Sequence, residues 1–84
     1  MYTVYIIQSV QDNSYYIGQT KNLEKRMAEH NRGLNRSTKS RGPWKLVYQR
    51  EFSTRKESYK EEQRLKSFKK RSSLERIIHS GVEK

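Results

Sequence analysis

The hydrophobic and polar positions of the chain predict three β-strands. Residues 2–8 are mostly aromatic and β-branched, which indicates a central strand with apolar side chains on both faces. Residues 12–14 (Asp-Asn-Ser) form a turn signal, and residues 15–18 return as a second, antiparallel strand after a loop of about five residues. Residues 44–52 alternate between apolar and polar positions, which predicts a third strand with one buried face.

A first helix is predicted after the second strand. Asn22 is a good N-cap for a first helix, because its side chain can accept a hydrogen bond from a free backbone N–H. The residues at helical spacing behind it are Leu23, Met27, His30 and Leu34. Gly33 is expected to end this helix, since glycine adopts the left-handed conformation found at many helix ends.

Two capping boxes mark a second and a third helix. Thr54 and Glu57 open a helix that is expected to run to about Lys70. Residues 72–75 (Ser-Ser-Leu-Glu) open a short third helix, which Gly81 is expected to end. The resulting order, β-β-α-β-α-α, predicts an α+β fold in which three helices flank a small three-stranded antiparallel sheet.

The composition limits the class of protein further. The 84 residues are expected to form a single domain, residues 1–84, with a small core. The chain contains no cysteine, which excludes disulfides and thiolate zinc sites. No apolar run approaches the roughly 18 residues of a membrane span, and the start of the chain lacks a signal-peptide pattern. We therefore expect a soluble cytoplasmic protein with no membrane partner.

The charge is strongly positive and unevenly distributed. Nineteen Lys and Arg oppose nine Asp and Glu, for a net charge of +10. Residues 1–20 contain a single charged side chain, Asp12, so the remainder of the chain carries +11. Such a field attracts polyanions, which favours nucleic acid as the partner. A basic surface kept for solubility, or weak adhesion to anionic membranes, is the alternative.

One carboxylate occupies an unexpected position on the second predicted helix. The apolar residues of that helix fall within one arc of the helical wheel: Tyr59, Leu65 and Phe68. Glu62 lies inside this arc, although glutamate is rarely buried without a partner. Glu62 is either in an ion pair with Arg26, Lys66 or another base, or it is a ligand for a hard cation such as Mg²⁺.

The first helix and the hairpin carry further candidates. Arg26 and His30 are four residues apart and so share one helix face. An arginine can bind a phosphate through two hydrogen bonds, and a histidine can move a proton near neutral pH. A core histidine and a solvated arginine are the alternatives. Four tyrosines crowd the hairpin, where packing accounts for some of them: Tyr2, Tyr5, Tyr15 and Tyr16.

The spacing of these residues resembles a known family. Tyr5 and residues 16–18 (Tyr-Ile-Gly) are similar to the paired motifs of the GIY-YIG nuclease superfamily. Residues 18–31 resemble that family's first helix, and residues 60–66 resemble the later helix that carries its acidic residue. The resemblance extends over nearly the whole chain. It points in particular to short stand-alone members that resemble the N-terminal nuclease domain of the excision-repair protein UvrC.

The chain departs from the family pattern in its first motif. Only the tyrosine of the GIY triplet is retained, because Thr3 and Val4 replace glycine and isoleucine. In the second motif, Gly18 is implied to let the backbone come close to the site. Elaborate family members also use a later polar residue, often Asn, for which Ser73 and His79 are the only candidates we find here.

The resemblance implies catalytic roles for five residues. Glu62 would hold one divalent metal ion, Mg²⁺ or Mn²⁺, and Arg26 would contact the scissile phosphate. Tyr5 and Tyr16 would lie near the attacking water, where one hydroxyl removes its proton. His30 would orient or deprotonate one of these groups. A phenolate needs a tyrosine pKa below the usual value near 10, and we expect nearby cations to lower it.

Further basic residues would bind the nucleic-acid backbone rather than read bases. They lie in the loop 32–45, on the second helix and just after it: Arg32, Arg36, Lys39, Arg41, Lys45, Lys66, Lys69, Lys70 and Arg71. Trp44 could stack on an unpaired base, but a tryptophan that begins a strand is expected to be in the core.

The charge, the candidate residues and the resemblance leave three possible functions. The first is a metal-dependent endonuclease acting on nucleic acid, with DNA as the expected substrate, little sequence specificity, and DNA repair as the role that the family suggests. The second is a non-catalytic nucleic-acid-binding module that retains the fold. The third, a structural adaptor, leaves the +11 region unexplained. Targeting would come from DNA structure, from a protein partner or from a homodimer.

Overall fold

The predicted order of elements is the observed one. The structure is a computed structural model, and it describes residues 1–33, 42–68 and 70–82. The elements are β1 (Tyr2–Ser9), β2 (Tyr15–Thr20), α1 (Leu23–Asn31), β3 (Trp44–Phe52), α2 (Arg55–Lys66) and α3 (Arg71–Val82). The strands form one antiparallel sheet in the order β2-β1-β3. The α+β fold with three helices around a three-stranded sheet is therefore confirmed.

β1 is the central strand and is buried on both faces, as its composition predicts. The face covered by α2 and α3 carries one apolar cluster: Val4, Ile6, Tyr48, Leu65, Leu74 and Ile78. The face covered by α1 carries a second cluster: Tyr5, Ile7 and Trp44, with Leu23 and Met27 of the helix packed against it. Alternate residues of β1 thus serve two different layers of the molecule.

The alternation of β3 predicted one buried face, and this prediction is wrong, because apolar residues of β3 pack on both faces of the sheet. Leu46 is opposite Ile7 and Tyr48 is opposite Ile6, so Val47 is an extra residue at a β-bulge. A bulge shifts the alternation by one residue. As a result Leu46 packs towards α1, whereas Val47 and Tyr48 pack towards α2 and α3.

The ends of α1 and α2 follow the capping signals at three of four positions. The side chain of Asn22 accepts a hydrogen bond from the backbone of Lys25, and Thr54 caps α2 in the same way. Gly33 lies just after α1 with a φ of 76°, which is the left-handed conformation expected there. α2 ends at Lys66 rather than near Lys70.

The start and end of α3 were predicted wrongly. The helix begins at Arg71, so Ser72 lies inside its first turn and is not the cap. The carboxylate of Glu75 pairs with Arg71, 3.1 Å away, instead of closing a capping box. Gly81 lies within the last turn, where a glycine costs only about 1 kcal/mol relative to alanine.

α2 buries a different face from the one its apolar residues indicated. Tyr59 is 55% exposed, although it was expected to face inward. The buried residues of α2 are Ser58, Glu61 and Leu65, which follow each other at helical spacing. This orientation is possible because the two polar side chains find partners on the sheet. Within the described part of the chain, no helix is long and apolar enough to cross a membrane.

Candidate active site

Two tyrosines and a histidine form a contiguous group on the face covered by α1. The Tyr5 hydroxyl lies 2.9 Å from Nε2 of His30, within hydrogen-bonding distance. The ring centroids of Tyr16 and His30 are 5.1 Å apart, and those of Tyr5 and Tyr16 are 6.5 Å apart. Tyr5 is 2% exposed and His30 is 1% exposed, whereas Tyr16 is only partly buried. Tyr16 is therefore the more accessible of the two tyrosines.

Burial keeps both deeply placed groups neutral. Burial raises the pKa of Tyr5 above its ordinary value, and the neighbouring Tyr16 adds to this shift. Arg26 acts in the opposite direction but is outweighed. We expected nearby cations to lower a tyrosine pKa, and for Tyr5, in the protein without metal or nucleic acid, this expectation is wrong. The pKa of His30 is lowered by burial and by the positive charge of Arg26, so the imidazole is held in its uncharged form.

Gly18 is required by the position of Tyr5. The two residues are directly opposite each other in the β1–β2 pairing. A Cβ atom on Gly18 would lie 2.7 Å from the Tyr5 hydroxyl oxygen and 2.9 Å from its Cζ. Only glycine leaves room for the Tyr5 ring to cross β2 and reach His30. The close approach of the backbone at Gly18 is therefore to a side chain of the site itself.

Trp44 closes this group on one side as a core residue. It is 4% exposed, and its ring centroid lies 6.5 Å from that of Tyr16. The backbone N–H of Trp44 donates to Oδ1 of Asn31 at 2.6 Å, which fixes the start of β3 against the end of α1. The position of the indole matches core packing rather than stacking on an exposed base.

Glu62 has partners of its own in the structure. Its side chain is 13% exposed, and Oε2 lies 2.9 Å from Nζ of Lys66. The amide nitrogen of Gln19 donates to Oε1 at 2.8 Å. The ion pair with Lys66 is one of the alternatives that the sequence left open. The negative charge of Glu62 also acts on the Tyr5 hydroxyl, which connects it electrostatically with the tyrosine group.

Arg26 lies beside a basic cleft at the end of β2. Its guanidinium is 3.5 Å from the carboxylate of Glu29 and remains 39% exposed. This cleft, of about 300 Å³, is lined by Thr20, Lys21, Asn22, Lys25, Arg26 and Glu29. A neighbouring cleft of about 210 Å³ is lined by Tyr2, Gln19, Thr20, Lys21 and Arg55. Both clefts include Thr20 and Lys21, and we refer to the two together, around the end of β2, as the basic groove.

Two of the basic residues predicted to bind nucleic acid, Lys45 and Arg71, lie at the end of the sheet that is distant from the basic groove. Lys45 is opposite Gln8, whereas Thr20 of the groove is opposite Thr3, which separates them by about 16 Å along β1. Arg71 donates to the backbone carbonyl of Asn13, at the same distant end of the sheet as Lys45.

Arg71 has three partners within the protein. Besides the Asn13 carbonyl it pairs with Glu75, and its guanidinium stacks 4.3 Å from the centroid of the Tyr15 ring. Three other predicted contacts are exposed, and the second of them pairs with Glu62: Arg32, Lys66 and Lys70. The remaining four lie outside the described residues: Arg36, Lys39, Arg41 and Lys69. His79 is exposed on α3, which packs against the edge strand β3, and Ser73 is partly buried there.

Sequence reasoning missed the polar residues that support Glu62. The hydroxyl of Ser58 donates to Oε1 of Gln19 at 2.6 Å, and Ser58 is completely buried. It also missed Glu61, which accepts hydrogen bonds from Tyr48 and from Arg64 at 2.8 Å each. The hydrogen bonds from Arg64 lower the pKa of Glu61 despite its burial. The helical spacing of 58, 61 and 65 could have revealed this face if polar residues had been considered.

Glu62 offers one carboxylate that suits a hard cation once Lys66 moves away. Mg²⁺ is usually held by one or two carboxylates, with water and substrate phosphate oxygens completing its shell. Glu62 supplies one such carboxylate beside the basic groove, and the family generally uses a divalent metal. In the ranges 1–33, 42–68 and 70–82, no cluster of three or more His, Asp or Glu side chains could hold a metal ion.

The fold is a small α+β architecture, and its tyrosine–histidine group lies on one face of the sheet. The family model described as the GIY-YIG catalytic domain matches residues 1–75, and the chain therefore belongs to the GIY-YIG family. This is a nuclease superfamily, which points to endonuclease chemistry.

Similar proteins carry the family designation UPF0213. One, from Staphylococcus haemolyticus, is 43% identical over 75 residues, covering 88% of this chain and 90% of that protein. Another, from Clostridium perfringens, is 37% identical over 81 residues, covering 95% and 86%. The solution NMR structure of a UPF0213 protein from Bacillus halodurans matches with a TM-score of 0.60 and 29% identity, covering 96% of this chain and 87% of that one.

Proposed function

We propose that the chain is a divalent-metal-dependent endonuclease that hydrolyses phosphodiester bonds in DNA, with little sequence specificity of its own. The observation that carries this proposal is the Tyr5–His30–Tyr16 group. The charges of Arg26 and Glu62 both act on its buried hydroxyl. A protein that only bound nucleic acid would have no need for a buried tyrosine–histidine pair and a carboxylate beside its basic groove. A role in DNA repair and a cytoplasmic location remain predictions.

Each residue has a role that its position supports. Arg26, exposed at the edge of the groove, binds the scissile phosphate and neutralises the charge that develops on it. Tyr16, the more accessible tyrosine, meets the attacking water. In its phenolate form, with its own proton lost to solvent, it accepts a proton from that water as the bond between phosphorus and the leaving oxygen breaks, and solvent protonates the leaving oxygen. Tyr5 and neutral His30 hold Tyr16 in place from the buried side. Glu62 would hold the metal ion, which supplies further positive charge at the phosphate when bound.

The basic groove at the end of β2 is the surface on which we place the DNA backbone. Lys21, Lys25 and Arg55 line it beside Arg26 and can neutralise phosphates on either side of the scissile one. The loop residues Arg36, Lys39 and Arg41 remain proposed contacts. Changing these three together to Ala should weaken binding and flatten its dependence on salt. An unchanged slope of log affinity against log salt would remove the loop from the contact surface.

Nicking of supercoiled plasmid tests the proposal. With Mg²⁺ or Mn²⁺ the wild type should nick, and EDTA should abolish nicking. Glu62→Gln, which keeps the shape of the side chain, should lower the rate at least about 100-fold, in the range expected when electrostatic stabilisation of a transition state is lost. Glu51→Gln, at an exposed carboxylate on β3, is the matched control and should nick normally. Nicking that survives in Glu62→Gln would contradict the assignment.

A binding module that retains the fold is the second candidate. The observation that favours it is the ion pair of Glu62 with Lys66, since a carboxylate with an internal cation needs no metal. The same assay separates the two functions. If the plasmid shifts on a gel but no metal supports nicking of plasmid, branched DNA or RNA, the chain binds nucleic acid without cutting it.

A further inference from the structure

The carboxylate of Glu62 is connected to the sheet by two hydrogen bonds in series. Oε1 of Glu62 accepts from the side-chain amide of Gln19 at 2.8 Å. Oε1 of Gln19 in turn accepts from the Ser58 hydroxyl at 2.6 Å. A carboxylate can only accept, so the NH₂ group of Gln19 must face Glu62, and its carbonyl oxygen is left for the serine. The orientation of the amide is therefore determined by its neighbours.

This arrangement joins α2 to the strand that carries the site. Gln19 follows Gly18 on β2, and its side chain projects to the face covered by α2. Ser58 and Glu62 are four residues apart on α2, so both face Gln19 from consecutive turns. Ser58 is completely buried, which protects this end of the connection from water. Glu62 is thereby held beside the same strand segment that positions Tyr5.

The second oxygen of Glu62 has a different kind of partner. Oε2 lies 2.9 Å from Nζ of Lys66, whose side chain is 48% exposed. An ion pair with an exposed lysine contributes little energy, and the long side chain can move away readily. One oxygen is thus held by a neutral donor in a mostly buried setting, and the other by a cation that can be displaced.

We infer that Gln19 is a positioning residue for Glu62. It fixes Oε1, so that Oε2 is the oxygen presented to a divalent cation, and Lys66 neutralises that oxygen until the cation displaces it. This inference rests on the proposed role of Glu62 as the metal ligand. Gln19 also lines the basic groove, so the oriented carboxylate lies next to the surface proposed for DNA.

The titration of each variant with Mn²⁺ tests this inference without nucleic acid or catalysis. In the ¹⁵N-labelled protein, Mn²⁺ should broaden the backbone amide signal of Glu62. Gln19→Leu should require about tenfold more Mn²⁺ for the same broadening, as expected when an outer-shell partner of a metal ligand is lost. Lys66→Met should require about two- to fivefold less, because the competing ammonium is gone. Gln63→Leu, at an exposed glutamine of α2, is the matched control and should not change the titration.

A second variant and a measurement without metal distinguish a lost hydrogen bond from misfolding. Ser58→Ala should weaken Mn²⁺ binding by a smaller factor than Gln19→Leu, because it leaves the hydrogen bond between Gln19 and Glu62 in place. In the absence of metal, Glu62→Gln should shift the side-chain NH₂ signals of Gln19. Thermal melts of each variant show whether a change in titration comes only from unfolding.

The outcomes separate this inference from the proposed function. Equal titrations for wild type and Gln19→Leu, or Gln19 NH₂ signals that ignore Glu62→Gln, would overturn the positioning role. Broadening at a place other than Glu62, or none at all, would overturn it as well. If the variants behave as expected but the wild type does not nick any substrate, the positioning role stands and the endonuclease proposal fails.

Discussion

The two faces of the sheet use buried polar groups in opposite ways. On the face covered by α2 and α3, the buried carboxylate of Glu61 is charged and is paired with Arg64 and the hydroxyl of Tyr48. On the face covered by α1, the buried pair is Tyr5 and His30, and burial shifts the pKa of each towards its neutral form. The first arrangement neutralises a charge within the fold. The second keeps two proton-carrying groups uncharged next to an accessible tyrosine.

The comparison extends to two consecutive residues of α2. Glu61 faces Tyr48 on β3, whereas Glu62 faces Gln19 on β2, because successive residues of a helix are rotated by about 100°. Glu61 is bound by an arginine through two hydrogen bonds, whereas the partners of Glu62 among the described residues are a lysine and an amide. The face that stabilises the fold thus has the stronger ion pair. Glu62, on the same helix, has a lysine partner that a metal ion can replace.

The largest expected effect is a loss of stability that leaves the nicking rate unchanged. Leu65→Ala removes a 1% exposed side chain from the cluster under α2 and α3 and should cost about 2–5 kcal/mol of the free energy of unfolding. The remaining folded protein should nick plasmid at the wild-type rate. Urea unfolding combined with nicking per folded molecule measures both quantities. Tyr59→Ala, at an exposed apolar residue of the same helix, should change stability by less than about 0.5 kcal/mol. A loss of nicking per folded Leu65→Ala molecule would show that the packing of α2 also positions Glu62 for activity.

Gly18→Ala should affect both stability and activity. The added methyl group meets the buried Tyr5 ring, which must move and lengthen its 2.9 Å hydrogen bond to His30. We expect a cost of about 1–3 kcal/mol, as for other overpacked sites, and a loss of nicking in the protein that still folds. Gly42→Ala is the control, because the nearest side-chain atom is 3.8 Å away on Trp44. Normal nicking by folded Gly18→Ala would mean that the position of Tyr5 is unimportant for activity.

The pH dependence of stability should distinguish His30 from an ordinary histidine. Its pKa in the folded protein is below the unfolded value of 6.5, so the unfolded chain binds more protons as the pH falls. Stability should be constant above about pH 7 and decrease as the pH falls through 6.5, by at most about 1.4 kcal/mol per pH unit. The free energy of unfolding should level off below the pKa that His30 has in the folded protein.

The variant His30→Gln should lack this part of the slope. Denaturant unfolding from pH 5 to 8 of both proteins gives the difference, in which carboxylate contributions common to both cancel. The charged neighbours of His30 are Arg26, which lowers its pKa, and Glu29, which opposes this effect. Parallel curves for wild type and variant would contradict the shift.

The smallest expected effect concerns Arg71, on α3. Arg71→Gln removes its contacts with Tyr15, Asn13 and Glu75, all of them exposed or partly buried, and should cost about 0.5–1 kcal/mol. DNA affinity should fall less than in Lys25→Ala, which changes the basic groove. Arg76→Gln, at an exposed position of α3, is the control for lost charge. If Arg71→Gln instead lowers the salt slope of DNA binding by about one, Arg71 contacts a phosphate, as the sequence predicts.

The elements and the tyrosine group were accessible from the sequence because they rest on local rules. Apolar residues on both faces of β1 identify a central strand, and Asn22 and Thr54 cap their helices as expected. The bulge at Val47 was not accessible, because it depends on how β3 aligns with β1. The exposed position of Tyr59 was missed for a similar reason. Which face of α2 is buried depends on polar partners located on the sheet.

The sequence by itself determined the family, the order of elements and the residue types of the site, since these follow from periodicity, capping and motif spacing. Only the tertiary structure decided how the site is supported. Gln19 and Glu62 are 43 positions apart, and their contact exists because β2 and α2 pack together. The shift of the Tyr5 pKa is likewise a consequence of burial, which no spacing along the chain encodes. Hydrogen bonds and desolvation depend on distances in space, and those are set only when the layers assemble.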